Sequence, residues 1–506
     1  MQKHGLLKVH GLPLTEILPG GRLFGADEIW FTSCTSDVHQ CHEGDLYVAI
    51  LGESDDGHLK VNEAIEQGAS AIVTERLIPA QSVPQYIVAD TRIAYANMCH
   101  ALSGFPSRRL NVVGVAGSEG KTTTTCLIQS IIRSAGLQSG ILNGLGYCDG
   151  AKTVPSEAAT PGPAVFADYL ARMRAGGCSH AVVELEDRAI VGKRTAGVEL
   201  DVACITACRG ADSSASEGNE SEHGIDVIPS RIFEQLRPEG LVVLNADDPT
   251  CRMLEDELHH PVLTFGLEQP AVLTATLLER VASEQTFLIH WGNETIPVRT
   301  HMIGDHHIYD CLAAAAVGLA YGIELETIVR GIERVDRMPG HLERIECGQP
   351  FSLFVDGGHT PAAVGAALQA LRETTRGKLI CVFGAPGERN RDLRSQLGAA
   401  VAEWADHLII TDGNPAREDS MQIAGDILQG ISDPCDPRVE LDRASAIEIA
   451  LATAEAGDCV LIAGRGHQSW QLVGTRRFPF DDRDVARRCL QSGRWGPSLG
   501  GEKRAA

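Results

Sequence analysis

The chain of 506 residues is poor in aromatic side chains, at 5%, and in basic residues. It lacks the roughly 18 consecutive apolar residues that a membrane-spanning helix requires, and its first residues, MQKHGLLKVHG, lack the layout of a signal peptide. Lys and Arg number 44 against 67 Asp and Glu, which gives a net charge of −23. We therefore do not expect the chain to bind nucleic acid or to insert into a membrane.

The 15 cysteines are scattered singly along the chain, and their number is odd. A disulfide framework is therefore not expected, and this usage is typical of the reducing cytoplasm, where we expect the protein to be. Cys204 and Cys208 have no second pair of ligands near them in the sequence. We predict that they are small buried side chains and not a metal site.

The most informative stretch is NVVGVAGSEGKTTTT at residues 111–125. A β-branched run enters a glycine-rich turn, the turn ends at Gly120-Lys121-Thr122, and apolar residues then recur at helical spacing. This pattern predicts a phosphate cradle, because glycine allows backbone N–H groups to turn toward an anion at the positive end of a helix. Lys121 can reach the β- and γ-phosphates, and the Thr122 hydroxyl can hold Mg²⁺.

The glycine spacing of this stretch departs from the common phosphate-loop pattern, because Val115 stands where its first glycine would be. The alternative is a glycine-rich turn with an incidental lysine. The order of strand, loop and helix favours the cradle. A chain with this net charge must also meet a nucleotide with backbone dipoles, a few basic side chains and a metal ion.

Length and element order predict an α/β protein of three domains. The composition, 43% hydrophobic and 22% charged, is typical of globular proteins. β-rich runs alternate with helical segments around the phosphate loop and again after Met338, which indicates parallel sheets covered by helices. The predicted units are a small α/β domain at 1–108, a central phosphate-loop (P-loop) domain with a parallel sheet at 109–337, a doubly wound Rossmann-like domain at 338–495 and a disordered tail at 496–506.

Two stretches of the central block differ from this alternation. Residues 263–300 have the pattern of short strands and turns and predict an antiparallel insertion, which a helix over 305–322 follows. The segment 209–227 is polar, and we predict that it forms a mobile loop.

The motifs, taken in order, resemble the Mur ligases, and among them the MurE type, from about residue 25 to residue 490. The resemblance implies that the first domain binds UDP, that the central domain is an ATPase domain and that the last domain completes the ligase site. The segments that carry the resemblance are GDLYVAILG, GVAGSEGKTTT, ATPGP, LNADDP, GDHHIYDCLAAAA, PGHLERIECGQPFSLFVDGGHTP, VFGAPGERNRD, TDGNPARED and DCVLIAGRGHQSWQ.

Enzymes of the MurE type add the third amino acid to UDP-N-acetylmuramoyl-dipeptide. The resemblance therefore implies a cytoplasmic, monomeric, ATP- and Mg²⁺-dependent ligase of peptidoglycan precursor synthesis, with a UDP-N-acetylmuramoyl-peptide and an amino acid as substrates. ATP phosphorylates a carboxylate to give an acyl phosphate, and an amine then attacks and expels phosphate. Such a site must cancel the charges of a carboxylate and a γ-phosphate and hold both in line.

The resemblance assigns catalytic roles to Lys121, Glu184 and His359, and metal binding to Thr122 and Glu184. From the residues alone, Glu184 is alternatively a surface acid at a strand end, His359 a core histidine and Asp356 a turn cap. The implied nucleotide-binding residues are Gly117, Ser118, Glu119, Gly120, Lys121, Thr122, Thr123, His307, Asp310, His341 and Asp356.

The resemblance also implies contacts with the sugar-peptide and with the incoming amino acid. Arg389 is alternatively a solvated arginine, and Asn414 is alternatively a turn residue before proline. The implied substrate-binding residues are Thr160, Arg389, Asn414, Arg417, Gly464 and Gln468.

The chain departs from the family pattern at positions that matter for the chemistry. The family lysine that is carbamylated to bind a second Mg²⁺ corresponds to Pro229, counted back from Phe233, and proline has no amine. An acid of the last motif is replaced by Gln468, and an acceptor-binding arginine by Ala416, with Arg417 one position later. Loss of the acid removes a charge-assisted bond worth about 1.5–3 kcal/mol, so we expect weak or absent selectivity for diaminopimelate.

Other departures lie on the nucleotide side. The family asparagines of the adenine-side helix are replaced by His307 and Asp310, and the arginine after Pro-Gly by His341. Glu186 or Asp187, after the strand-end glutamate, offers replacement oxygens for a metal ion.

Two functions follow from these observations. The first is an active muramoyl-peptide ligase with an altered metal site, and the second is an ATP-binding paralogue that has lost ligation and acts as a binding or regulatory subunit. A folate polyglutamate synthetase is related by fold, but the MurE-like first domain argues against it. The intact phosphate loop is compatible with both of the first two functions. Pro229 and the altered segment 209–223 favour the paralogue, whereas the retained three-domain organisation suggests a muramoyl-type substrate, and we favour the ligase.

Overall fold

The computed structural model describes residues 11–52, 55–79, 82–208, 227–389, 391–432 and 436–493. The strands in these residues form three main sheets that follow one another along the chain. The α/β class predicted from the sequence is confirmed. Within the described ranges, no helix is both long enough and apolar enough to cross a membrane. The predicted tail and nearly all of the predicted mobile loop, residues 209–226, lie outside these ranges.

The first sheet has five strands in the order β2-β7-β6-β5-β4, and only β2 is antiparallel to its neighbour. Its central strands are buried on both faces, which is typical of parallel strands covered by helices. The elements are β1 (Leu12–Pro13), α1 (Leu14–Ile17), β2 (Arg22–Phe24), β3 (Trp30–Phe31), β4 (Cys34–Thr35), β5 (Leu46–Val48), α2 (Val61–Glu66), β6 (Ala71–Thr74), β7 (Gln85–Ile87) and α3 (Thr91–Leu102).

The central sheet has eleven strands, and β8 lies in its interior between β12 and β13. The strands are β8 (Asn111–Ala116), β9 (Ser139–Asn143), β10 (Gly146–Cys148), β11 (Thr153–Val154), β12 (His180–Glu184), β13 (Leu200–Ile205), β14 (Leu236–Asn245), β15 (Val262–Gly266), β16 (Leu273–Val281), β17 (Glu284–Trp291) and β18 (Glu294–Thr300). Strands β15 and β16 continue the parallel part, and β17 then pairs antiparallel with both β16 and β18. The stretch predicted as an insertion thus extends the edge of the same sheet.

The helices of the central unit cover this sheet and bring α9 against α4. They are α4 (Lys121–Ser134), α5 (Pro163–Ala175), α6 (Asp187–Val191), α7 (Val227–Phe233), α8 (Pro249–Glu257), α9 (Asp305–Ala320) and α10 (Leu325–Glu333). The alanines at 313–316 are buried, and their small side chains allow α9 to approach α4 closely. This packing brings the first turn of α9 to the glycine loop before α4.

The last sheet has the order β19-β20-β24-β21-β22-β23, and all of its pairs except β19 with β20 are parallel. This arrangement confirms the predicted doubly wound unit. Its elements are β19 (Glu343–Arg344), β20 (Ser352–Val355), α11 (Pro361–Thr374), β21 (Leu379–Phe383), α12 (Leu393–Trp404), β22 (His407–Ile410), α13 (Ser420–Leu428), β23 (Arg438–Val439), α14 (Arg443–Thr453), β24 (Cys459–Ile462), β25 (Trp470–Val473), β26 (Arg476–Pro479) and α15 (Asp482–Gln491).

A buried ion pair joins α14 to α15 behind the loop that follows β24. Arg443 donates two hydrogen bonds of 2.8 Å to the Asp482 carboxylate, and a third to the carbonyl of Ala463. Both charged side chains are inaccessible to solvent. Arg465, in the loop that follows β24, lies 3.6 Å from the same carboxylate, so one buried acid lies beside two arginines, one from α14 and one from this loop.

We predict that Asp482→Ala destabilises the protein by about 3–5 kcal/mol, because it leaves Arg443 buried without its countercharge. Asp484→Ala removes an exposed acid of the same helix that pairs with Arg487, and we expect a change below about 1 kcal/mol. Urea unfolding of both variants measures the two values. Equal free energies of unfolding would show that the buried pair does not hold this unit together.

Candidate functional site

The glycine loop between β8 and α4 has no room for a side chain at its two glycine positions, Gly117 and Gly120. Gly117 and Gly120 have φ angles of +137° and +76°. A Cβ atom at Gly117 would lie 2.3 Å from the Thr206 hydroxyl oxygen, and one at Gly120 would lie 2.1 Å from a carboxylate oxygen of Asp310. Only glycine fits at either position, and the loop can therefore present its backbone to a ligand.

The Lys121 ammonium lies over this loop. It donates to the carbonyl oxygens of Gly117, at 2.6 Å, and Ser118, at 3.3 Å. Burial raises the pKa of the Glu184 carboxyl, and the nearby charge of Lys121 opposes this rise. Ser118 itself is anchored by its N–H, which donates to Ala207 at 2.9 Å, and the Thr123 side chain is buried beneath the loop.

Glu184 lies at the carboxyl end of β12, next to the start of α4. One carboxylate oxygen accepts hydrogen bonds from the Thr122 hydroxyl, at 2.9 Å, and from the N–H of Gly144, at 3.1 Å. The side chain is only 4% exposed, so Glu184 is not a surface acid. Burial raises the pKa of its carboxyl.

Thr160 holds the end of the same strand. Its hydroxyl donates to the carbonyl of Glu184 at 2.7 Å and accepts from the N–H of Glu186 at 2.8 Å. The residue is fully buried. In this structure the hydroxyl therefore fixes the chain beside Glu184, and it does not face solvent.

The first two turns of α9 place two ionisable groups, His307 and Asp310, beside the loop. The Thr124 hydroxyl donates to Asp310 at 3.3 Å, and His307 Nδ1 lies 3.6 Å from the other oxygen of that carboxylate. Both ring nitrogens of His307 are buried and have no hydrogen-bond partner among the residues that the structure describes, and the same is true of Nε2 of His341. Burial lowers the pKa of His307 to about 3. This ring is therefore neutral and offers one donor and one acceptor.

Asp356 follows β20 on the facing unit. Its two oxygens accept from the N–H groups of Leu342, at 2.8 Å, and Gly358, at 2.7 Å, so it caps the turn. His359 is exposed and is not a core histidine. The next residue, Thr360, donates to the Glu119 carboxylate at 3.2 Å, which joins this turn to the phosphate loop.

His467 forms a second link across the cleft that sequence reasoning missed. Its ring is hydrogen-bonded to the backbone of Gly144, whose N–H contacts Glu184. Burial lowers the pKa of His467 to about 4. A Cβ atom at Gly340 would lie 2.0 Å from the backbone nitrogen of His467, so the two chain segments are tightly packed here. The Gly-x-Gly-His pattern was the available signal in the sequence.

Asn414 and Gln468 meet at the far side of the last unit. The Asn414 amide donates to Gln468 at 2.9 Å, and its oxygen accepts from the N–H of Leu472 at 3.0 Å. Gly464, after β24, has a φ of +104°. Arg389 and Arg417 are exposed, and within the described part of the chain no hydrogen bond or ion pair joins either of them to Asn414 or Gln468. Pro229 lies in α7, and its side chain is outside the described part of the structure.

The residues of this site fit a nucleoside triphosphate and one Mg²⁺ ion. The loop is a cradle that Cβ atoms would fill, and it opens into the amino end of a helix of 14 residues. The buried ring nitrogens of His307 can pair with a purine edge. The Thr122 hydroxyl and the Glu184 carboxylate provide two adjacent oxygens, which are the ligand atoms that Mg²⁺ prefers.

The chain has three α/β units, and the central one carries a glycine loop beside a buried glutamate at a strand end. These features define a phosphate-loop protein. The Mur ligase middle domain model matches residues 115–318, and the Mur ligase, glutamate ligase domain model matches residues 340–466. The chain belongs to the Mur ligase family.

Curated relatives are similar over nearly the whole chain. A UDP-N-acetylmuramoyl-L-alanyl-D-glutamate–2,6-diaminopimelate ligase of Geobacillus thermodenitrificans is 33% identical over 464 residues, which cover 90% of this chain and 94% of that protein. A UDP-N-acetylmuramyl-tripeptide synthetase of Roseiflexus sp. is 34% identical over 478 residues, which cover 88% and 92%. The resemblance to the MurE type is confirmed.

Solved structures show the same fold. A UDP-N-acetylmuramoyl-L-alanyl-D-glutamate–2,6-diaminopimelate ligase aligns over 96% of this chain and 99% of its own, with a TM-score of 0.65 and 22% identity. MurF of Thermotoga maritima in complex with ADP aligns over 91% and 97%, with a TM-score of 0.61 and 16% identity.

We predict that Gly120→Ala weakens nucleotide binding at least tenfold, because the new methyl group must displace Asp310 or distort the loop. Gly136→Ala is the matched control, since Gly136 has a similar φ of +78° but no atom within 4 Å of the added Cβ. Calorimetry with ADP measures both variants. Equal losses in the two would indicate backbone strain alone and not a closed cradle.

Nucleotide affinity is predicted to fall as the pH rises through about 8. Burial raises the pKa of the Asp310 carboxyl to about 8, and the charge of His341 opposes this rise. Asp310 is therefore mostly neutral below that pH, and above it an anion faces the bound phosphates. Above this pKa, the nucleotide affinity should fall by up to about tenfold per pH unit. ADP titrations between about pH 7 and 9 test this, and Asp310→Asn should give a flat profile. Identical profiles for the variant and the wild type would contradict it.

Proposed function

We propose that the protein is an ATP-dependent amide ligase that adds an amino acid to a UDP-N-acetylmuramoyl-peptide during peptidoglycan precursor synthesis, through an acyl phosphate. The names of the curated relatives support this substrate class. The observation on which the proposal depends is the position of Glu184, buried between the Thr122 hydroxyl and the Gly144 amide beside the Lys121 ammonium. This arrangement has the parts that phosphoryl transfer requires.

The residues of the loop would bind the triphosphate. The loop N–H groups other than that of Ser118, together with the amino end of α4, would face the anion, and the Lys121 ammonium would leave the Gly117 carbonyl to bind the β- and γ-phosphates. Thr122 and Glu184 would hold Mg²⁺. When bound, Mg²⁺ neutralises charge that develops on the phosphate oxygens. Glu186 lies near enough to Glu184 to raise the pKa of its carboxyl, and we propose it as an additional oxygen ligand in place of the carbamylated lysine.

The facing unit would complete the site. Asp356 fixes the turns that carry His341 and His359, and we assign the exposed His359 to the γ-phosphate side. We further propose that the protein is divided into three domains, with boundaries near residues 108 and 337, and that the first binds the UDP moiety. The contact between Thr360 and Glu119 joins the last domain to the phosphate loop.

The pair formed by Asn414 and Gln468 would face the incoming amino acid. Both side chains are uncharged amides that are already bonded to each other, so they offer hydrogen bonds but no countercharge for a distal ammonium. We therefore propose an acceptor other than diaminopimelate, or weak discrimination among acceptors. Arg417 is one position later than the expected arginine and would bind a carboxylate only after a change in its side-chain conformation.

The test is phosphate release by the purified protein with ATP, Mg²⁺, UDP-N-acetylmuramoyl-L-alanyl-D-glutamate and a panel of amino acids. We expect release only when nucleotide, muramoyl-peptide and an accepted amino acid are all present. Diaminopimelate, lysine and neutral amino acids form the panel. Tight ATP binding without turnover on any acceptor would instead support the paralogue that has lost ligation.

Lys121→Ala is predicted to weaken ATP binding roughly 10- to 150-fold, since it removes a charge-assisted bond of about 1.5–3 kcal/mol. Lys152→Ala, at an exposed turn of the same unit, is the control and should leave the affinity unchanged. Calorimetry with a non-hydrolysable ATP analogue measures both. Unchanged affinity in Lys121→Ala would refute the role of the loop.

A further inference from the structure

Two thiols and a carboxylate converge beside the phosphate loop, on the face away from Glu184. Cys208 follows β13 by three positions, and Cys251 lies in the first turn of α8, of which Asp248 is the N-cap. The two sulfur atoms are 3.7 Å apart. One ligand atom of each residue lies within 4.8 Å of the other two. Cys208 has no ligand partner near it in the sequence, because Cys251 and Asp248 belong to a different strand–helix unit.

We propose that Cys208, Cys251 and Asp248 form a binding site for one Zn²⁺ ion, with water as the fourth ligand. Two sulfur ligands at about 2.3 Å from a tetrahedral ion are about 3.8 Å apart, which agrees with the observed sulfur separation. Two thiolates and one carboxylate are a borderline-soft donor set that suits Zn²⁺ and does not suit Mg²⁺. The proposed site is independent of the ligase activity proposed above.

A disulfide does not account for the geometry. The sulfur separation of 3.7 Å is far longer than the roughly 2.05 Å of an S–S bond. The alternative to a bound ion is that both cysteines are free thiols that form a weak S–H···S hydrogen bond. The hydrogen bond with Cys208, burial and the charge of Asp248 raise the pKa of the Cys251 thiol. A bound cation would supply the positive charge that this cluster lacks.

The backbone already holds the three groups in place. Asp248 accepts from the N–H of Cys208 at 2.8 Å with one oxygen, and with the other it accepts from the N–H groups of Thr250 and Cys251. The oxygen that accepts from Cys208 keeps a second lone pair for an ion, whereas the other oxygen already accepts two hydrogen bonds. Cys251 is fully buried, and Cys208 and Asp248 are partly exposed, so an ion can enter from the solvent side with its water.

The site would stiffen one wall of the phosphate loop. The carbonyl of Ala207, next to Cys208, accepts from the N–H of Ser118, and the Thr206 hydroxyl donates to the carbonyl of Glu119. An ion between Cys208 and Cys251 would join this wall to α8. Binding breaks two S–H bonds and forms two Zn–S bonds, and the two protons go to the buffer. Affinity should therefore rise with pH, by up to about 100-fold per unit.

Cobalt titration of the full-length, reduced protein tests the proposal. Co²⁺ bound to two thiolates gives a sulfur-to-metal charge-transfer band that Zn²⁺ abolishes by displacement. We expect one equivalent in the wild type, loss of the band in Cys208→Ser and Cys251→Ser, and weaker binding in Asp248→Asn. Cys347→Ser, which removes an exposed thiol of the last unit, is the matched control and should keep the band.

Thiol protection gives a second readout that needs no variant, since Cys251→Ser could fail to fold. With Zn²⁺ present, Cys208 and Cys251 should resist alkylation, and a chelator should restore their reactivity. The proposal is overturned if the wild type gives no band, if the band persists in Cys208→Ser, or if the two cysteines are recovered as a disulfide from protein kept under reductant.

Discussion

The close approach of three chain segments at the phosphate loop is the constraint on which the rest of the site depends. Gly117 lies against Thr206 and Ala207, and Gly120 against Asp310, at distances that exclude any Cβ atom. These contacts and the hydrogen bond from the Ser118 N–H to Ala207 fix the path of the loop, so its remaining N–H groups are the ones that an anion would meet. The small side chains of α9 allow this approach, so helix packing on one face of the sheet determines the geometry of the loop.

Hydrogen bonds to the central unit also position the last unit, which contains β19–β26. Thr360 contacts Glu119, and the His467 ring contacts the backbone of Gly144, so both ends of the cleft are bridged. Behind these contacts, the buried pair of Arg443 and Asp482 fixes the loop after β24. A weakening of that pair would loosen the turn that carries His467, because Arg443 also donates to Ala463, at the end of β24.

Local sequence patterns were sufficient for the family, the α/β class and the phosphate loop, because strand, loop, Lys-Thr and helix are contiguous. Contacts across the structure could not be predicted in the same way. Thr124 and Asp310 are 186 positions apart, and their contact depends on how α9 packs on α4. The same holds for Cys208 with Cys251, and for the Gly144 contact of His467. The roles assigned to His359, Arg389 and Arg417 stay predictions, since their side chains are exposed.

An acidic chain can bind a polyanion if the acids nearest to it are neutral or already bonded. Burial raises the pKa of Asp310 to about 8, so at neutral pH it acts toward the loop as an uncharged group. Asp356 directs both oxygens to backbone N–H groups, and Glu184 accepts from Thr122 and Gly144. The net charge of −23 is therefore offset locally and not globally. The charges of Glu184 and Glu186 are the ones that a bound divalent cation would neutralise.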